Sequence, residues 1–240
     1  MVGKGTGVVE LGFLSFLAEP WFVIPWYVIA LAGVVWVVHD MYTHNTHVNE
    51  AVKWAWPIIV FFFSVVGLVL YWTASRPPGI AELYGDAAGE AYSSYASTTF
   101  RKVTGSVIHC VGGDGLGVVT AMIFARIIGL AFWPEFWAEY VVGYLFGWFI
   151  FQYKAMEGIA GSALMAVWMG GRAEFFSMLT VMAGMGGVMG FVTPLVVGQQ
   201  PGPATFAFWG FAALGLFAGF VLTYPMNFLL VNMGWKHGQG

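Results

Sequence analysis

Of 240 residues, 59% are apolar and 9% charged, with a mean hydropathy of +0.77; a soluble domain carries about a quarter charged residues, so the solvent of this chain is largely lipid. The formal charge of −3, with Arg101 and Lys102 as the longest cationic run, excludes nucleic acid and other polyanions as partners. A single cysteine, Cys110, excludes an internal disulfide and leaves the redox compartment open.

Backbone in lipid must satisfy its own hydrogen bonds, which leaves helices or a closed barrel. The apolar runs are long and lack period-two alternation, so the sequence predicts an all-α, polytopic membrane helical bundle. Residues 1–19 hold Lys4, Glu10, Glu19 and only a short apolar patch, which predicts no cleavable leader, the first span acting as its own insertion signal. A span needs about 20 residues, and the runs at 20–38, 56–74, 107–131, 136–152, 174–197 and 205–232 predict about six. The Gly-rich stretch 159–170 reads as an interfacial segment leading into the fifth span, with a re-entrant hairpin as the alternative.

The polar stretch 76–106, opening Arg-Pro-Pro-Gly, reads as a connector between a two-helix unit over 1–75 and a four-helix unit over 107–240. With six spans, Lys4, Arg76, Arg101, Lys102, Lys154, Arg172 and Lys236 share one face, against Lys53 and Arg126 on the other. The positive-inside rule then predicts both termini cytoplasmic, the loop 39–55 outside, and a multi-pass protein of the cell's inner membrane.

Four features carry possible chemistry. In the loop, His39, Asp40, His44, His47 and Glu50 fall within twelve residues, and on a helix His44 and His47 would share a face with Asp40 and could capture a first-row metal; ordinary solvated loop histidines are the alternative. At the head of the third span, His109, Cys110 and Asp114 put an imidazole, a thiol and a carboxyl into an apolar run, where ionisable groups mark function by default. Cys110 and Asp114 share a helical face and His109 lies roughly 100° round. Glycines at 112, 113, 115 and 117 could permit an unwound turn; alternatively Asp114 bonds a neighbouring helix and the other two pack.

Met178, Met182, Met185 and Met189 form a stripe along the fifth span, whose soft neutral thioethers suit Cu(I), or which simply fills gaps beside glycine. Gly143/Gly147, Gly186/Gly190 and Gly215/Gly219 are faces for close helix packing within the chain or with other membrane subunits. Arg126 reads as snorkelling, and Glu139 and Glu174 as solvated at helix ends.

The run His109-Cys110-Val111-Gly112-Gly113-Asp114-Gly115-Leu116-Gly117, the closing Thr223-Tyr224-Pro225-Met226-Asn227 and the terminal Met233-Gly234-Trp235-Lys236-His237-Gly238 resemble the membrane family catalogued as domain of unknown function 4396, over roughly residues 100–240, with the first two spans outside it. The resemblance implies a fold and no settled activity. The family's pattern has a second Cys where this chain has Asp114, and acids in the fifth span where 178–190 holds none. A thiolate and a carboxylate grip a soft metal less well than two thiolates.

Two functional readings stand. One is a membrane protein that binds or moves copper, or zinc, with the histidine loop for capture, the Met stripe as a path and His109, Cys110 and Asp114 as an inner site. The other is an accessory subunit packed in a larger respiratory, photosynthetic or monooxygenase complex. An enzyme using His109 or Cys110 is disfavoured, because Arg101 and Lys102 lie two helical turns from the thiol they would have to activate.

Overall fold

The computed structural model describes residues 11–153, 156 and 160–236, and every described regular element is helical. A 3-10 segment (Leu11–Ala18) leads into α1 (Pro20–Thr43), then α2 (Glu50–Ala74), a short α3 (Gly85–Ala96) and α4 (Thr99–Ile127). The 15 residues of α5 (Phe132–Phe146) run on into a six-residue π-helical turn, Gly147–Gln152. After it come α6 (Ala163–Gly187), extended through a second π turn to Val197, and α7 (Phe206–Asn232). The all-α membrane bundle expected from composition is what forms.

Five helices are long and apolar enough to cross a bilayer: α1, α2, α4, the extended α6 and α7. One of them doubles back on itself. Residues seven apart on a straight helix are about 10 Å apart, yet a Cβ on Gly67 would lie 2.8 Å from the Cα of Val60. Trp56 and Tyr71, 15 positions apart, have ring centroids 5.3 Å apart, and the Trp56 indole donates to Ser75 Oγ at 3.0 Å. The reversal is at Ser64, where φ is +49° and ψ −122°, the one non-glycine with positive φ among the described residues. α2 is therefore a helical hairpin, its arms 50–63 and 65–74 antiparallel.

Turning inside lipid strands backbone groups that need partners, and α1 supplies them. The Trp26 indole donates to Phe62 O at 3.0 Å, and Ser64 Oγ donates to Trp26 O at 2.8 Å. Gly67 is required where the arms meet, backbone on backbone. The second arm ends beside the end of α1, where Arg76 grips Asp40 through Nε and Nη2 at 2.9 and 3.1 Å and Asn45 donates to Ser75 O at 2.7 Å. The Asp40 carboxylate also accepts from the Tyr71 hydroxyl at 2.7 Å.

α5 with its π turn runs the length of the bundle, as α1, α4, α6 and α7 do, whereas the α2 hairpin does not, so five full-length helices stand beside one doubled-back one where the sequence led us to expect about six spans. The carbonyl of Leu17 packs on Gly210 at the start of α7, whereas Lys236 follows the end of that helix, so Leu11 and Lys236 lie at opposite ends of the bundle. The 44–49 loop and the connector share a face, shown by His47 lying where a Cβ on Gly89 of α3 would meet its ring at 3.2 Å. A continuous apolar run conceals a reversal because hydropathy carries no direction.

Two other boundaries move. α4 begins at Thr99 rather than 107 and stays helical through all its glycines, so no turn unwinds. Of the stretch 159–170 read as interfacial, residue 159 lies outside the described residues and the part from Ala163 forms the first turns of α6, started by Ser162, whose side chain accepts from Met165 N.

α4 is the hub. Its glycines admit Ala55 at Gly112, Phe151 at Gly113, Leu216 at Gly115 and the Gly143 backbone at Gly117. The faces proposed for partner subunits are spent inside the chain: Gly143 on Met178, Gly147 on Asp114 and Glu174, Gly186 on Phe136, Gly190 on Phe132, Gly215 on Met185 and Gly219 on Val181. The closest approach of α6 and α7 is at Gly184, whose Cβ would fall on the Gly219 backbone.

Candidate functional site in the four-helix unit

α4 presents Cys110 and, one turn on, Asp114 to α6, and both are fully buried. Opposite stands Glu174, also at 0% exposure, which corrects its reading as a solvated helix end; the extra turns of α6 upstream carry it into the bundle. The last described residue closes the set. Just past the end of α7, Gly234, with a φ of +69°, turns the chain so that Trp235 N and Lys236 N both donate to Leu230 O. The Lys236 side chain then runs back into the interior.

Its ammonium is held at 0% exposure by three acceptors from three side chains. Nζ donates to Glu174 Oε2 at 2.9 Å, to Ser177 Oγ at 2.7 Å and to Cys110 Sγ. The acceptors are themselves ordered, since Cys110 Sγ donates to Glu174 Oε2 at 3.3 Å and Ser177 Oγ donates to Asn227 Oδ1 at 2.6 Å. A primary ammonium has three donors and no acceptor, so this cage matches it hydrogen for hydrogen.

Beyond the cage the donors run out. Among the described residues, nothing outside the carboxyl pair itself donates to Asp114 Oδ1, Asp114 Oδ2 or Glu174 Oε1, and the two carboxyls bond each other. Both carboxyls converge on Gly147, the first residue of the π turn, and a Cβ there would sit on Asp114 Oδ1 and Glu174 Oε1. Gly147 is thus the floor of the site, and the wide turn that begins there is the kind of helix defect found at functional positions. His109 is 2% exposed, with Nδ1 3.7 Å from Cys110 Sγ.

From Glu174 the methionine stripe continues along α6, with Met178, Met182, Met185 and Met189 all buried. Met178 Cε packs where a Cβ on Gly143 would be, and Met185 Sδ occupies that place at Gly215. Met189 reaches a second ionisable group at the opposite end of the bundle. There Arg126 Nε donates to Glu135 Oε1 at 2.7 Å, and its other nitrogens donate to Pro201 O and Gln200 Oε1 at 2.6 and 3.0 Å. Arg126 is not snorkelling, and Glu139 is 4% exposed rather than solvated. Glu135, Glu139, Arg126, Gln200 and Met189 line a cavity of about 10 Å³.

The histidine loop does not gather as expected. α1 ends at Thr43, so His44 and His47 share no helical face. His44 Nδ1 lies 3.7 Å from Asp40 Oδ1 and 2.8 Å from Thr43 Oγ1, and the His39 and His44 ring centroids are 6.1 Å apart. His47 turns to α3 instead. Among the described residues no three His, Cys, Asp or Glu side chains are arranged to hold a metal ion.

The family model described as domain of unknown function DUF4396 matches residues 99–236, from the first residue of α4 to the ammonium-bearing lysine. The chain belongs to that family. A second model, described as Phospholipase_D-nuclease N-terminal, matches residues 27–76, which cover most of α1 and the α2 hairpin. No curated protein and no solved structure matches the chain. The DUF4396 match thus covers the four-helix unit α4–α7, and its last residue is the caged lysine.

Sequence reading had found Cys110, Asp114 and His109 but missed Glu174, Ser177, Asn227, Gly147 and Lys236. Signals existed for two of them. Glu174 stands within a long apolar run, where an acid is costly, and Lys236 belongs to the terminal Met-Gly-Trp-Lys motif.

Proposed function

We propose that the DUF4396 domain of this protein binds and moves a soft cation of the Cu(I) class through the bundle. The observation that carries this is the caged ammonium, a positive charge already held in the interior by a thiol, a carboxylate and a hydroxyl, with a second carboxyl beside it. A site able to stabilise one buried cation has met most of the desolvation cost of another. Thiol sulfur and the thioethers leading away from it select a soft, singly charged ion, while the oxygens alone would favour a hard one. Cys110, Glu174, Asp114 and His109, which do not surround an ion position in the resting protein and would have to close on the ion as it enters, are the assigned ligands, the Met178–Met189 stripe the path, and Glu135 with Glu139 the station at the far end.

By charge, the described Lys53, Arg76, Arg101, Lys102, Arg172 and Lys236 gather at one end of the bundle and Arg126 alone at the other. The positive-inside rule assigns the Lys236 end to the cytoplasm of a cell's inner membrane. The histidine loop is then on the cytoplasmic face.

The test is Cu(I) binding by detergent-purified protein, measured anaerobically by competition with a chromophoric chelator. Stoichiometric binding lost in Cys110→Ser and in Glu174→Gln supports the assignment. Binding unchanged in both variants, or absent from the protein and from its Lys236→Met form, refutes it.

A further inference from the structure

We infer that Lys236 is a tethered plug: its ammonium occupies the cation position of the Cys110–Glu174 site, and an incoming ion must displace it. The inference rests on the cation reading above and adds the regulation of that site.

Three observations carry it. First, the lysine takes the ligand atoms a cation would need, Cys110 Sγ and Glu174 Oε2, while Asp114 Oδ1, Asp114 Oδ2 and Glu174 Oε1 beside them take no hydrogen bond from outside the carboxyl pair among the described residues. A residue present only to neutralise the acids would sit between the two carboxyls. This one sits on the thiol side of the pair, on Cys110 Sγ and Glu174 Oε2, while Asp114 Oδ1 and Glu174 Oε1 meet at Gly147. Second, Lys236 is not on a transmembrane helix. It stands on a turn outside α7, held by the bonds of Trp235 N and Lys236 N to Leu230 O at 2.9 and 3.2 Å, so withdrawing it disturbs no span. Third, the turn depends on one backbone position. Gly234 has φ +69°, and a Cβ there would meet nothing within 4 Å, so a side chain at 234 changes the conformational preference of the turn without a clash.

Plugging has an arithmetic consequence. Apparent affinity for the ion is the intrinsic affinity reduced by the fraction of molecules with the lysine out. Whatever loosens the turn must tighten binding, although it removes interactions from the resting protein. Withdrawal also opens the site toward the end of the bundle from which the lysine enters, so ion and tail compete from one face.

The experiment compares Cu(I) affinity in wild type, Gly234→Ala and Lys236→Met, each also with Cys110→Ser. Gly234→Ala keeps the lysine and penalises its turn, and should tighten binding about tenfold, the ratio that a left-handed L-residue corresponds to. Lys236→Met removes the competitor and should tighten it further, and N-ethylmaleimide should modify Cys110 faster in both variants than in wild type. Equal Cu(I) affinities in all three proteins, still dependent on Cys110, overturn the plug and leave the cation site standing. Binding by none of them overturns the site itself. Should Lys236→Met fail to fold, Gly234→Ala decides alone: tighter binding upholds the plug, and unchanged binding overturns it.

Discussion

Replacing Lys236 by methionine in metal-free protein tests whether the cage is the energetic keystone of the four-helix unit. Lys236 and Glu174 are both at 0% exposure, 2.9 Å apart. Removing one partner of such a pair leaves a buried carboxylate with no counter-ion, which costs about 3–5 kcal/mol. In a chain of this size each kcal/mol lowers the melting temperature by about 2–4 °C. Lys236→Met should therefore melt roughly 6–20 °C below wild type in the presence of a chelator. Glu174→Met alone leaves the ammonium uncompensated and should lose a similar amount. The double variant carries neither charge and fills the space with apolar volume, so it should recover most of the loss, with a coupling energy of about 2–3 kcal/mol. The assay is tryptophan-fluorescence melting in one detergent for all four proteins. Losses that simply add in the double variant, or a Lys236→Met protein melting with wild type, would falsify the claim that the two charges depend on each other.

Two further predictions concern the scaffold. Gly184→Ala should destabilise strongly, by about 1–3 kcal/mol or more, because its Cβ would fall on the Gly219 backbone, which cannot yield as a side chain does; Gly187→Ala, three residues on with nothing within 4 Å of its Cβ, should melt with wild type and serves as the matched control. For the hairpin, single cysteines introduced as Thr46→Cys and Asp86→Cys in a Cys110→Ser background should react with an impermeant maleimide from the same side of sealed vesicles, and Gly202→Cys from the other. Labelling of positions 46 and 86 from opposite sides would restore α2 as a span.

Much of this fold was legible because lipid allows so few structures. The apolar runs located α1 and α7 to within about five residues and found α4 and α6 with starts eight and eleven residues late, and the thiol and carboxyl at 110 and 114 declared themselves by their cost. What stayed hidden depended on direction and on partners. The run over Glu50–Ala74 has the length and hydropathy of a span, and only Ser64 and Gly67 within it hint that the chain doubles back. Glu174 was misread because its depth follows from the upstream helical turns, which Gly-rich composition disguised. Lys236 was counted as one more loop charge, since nothing local says that a residue past the end of a helix will point back down it. The glycine pairs were correctly seen as close-packing faces, but which helix each would meet is a tertiary fact.

The reversal at Ser64 also bears on parity. The matched family domain makes four passages and so opens and closes on the same face. A preceding unit of two full spans would have kept the upstream end on that face too. Because α1 passes through and α2 returns to where it entered, the unit contributes an odd passage. A reporter joined ahead of Pro20 and another joined behind Lys236 would report from different compartments, and deleting α1 alone would bring the first back beside the second.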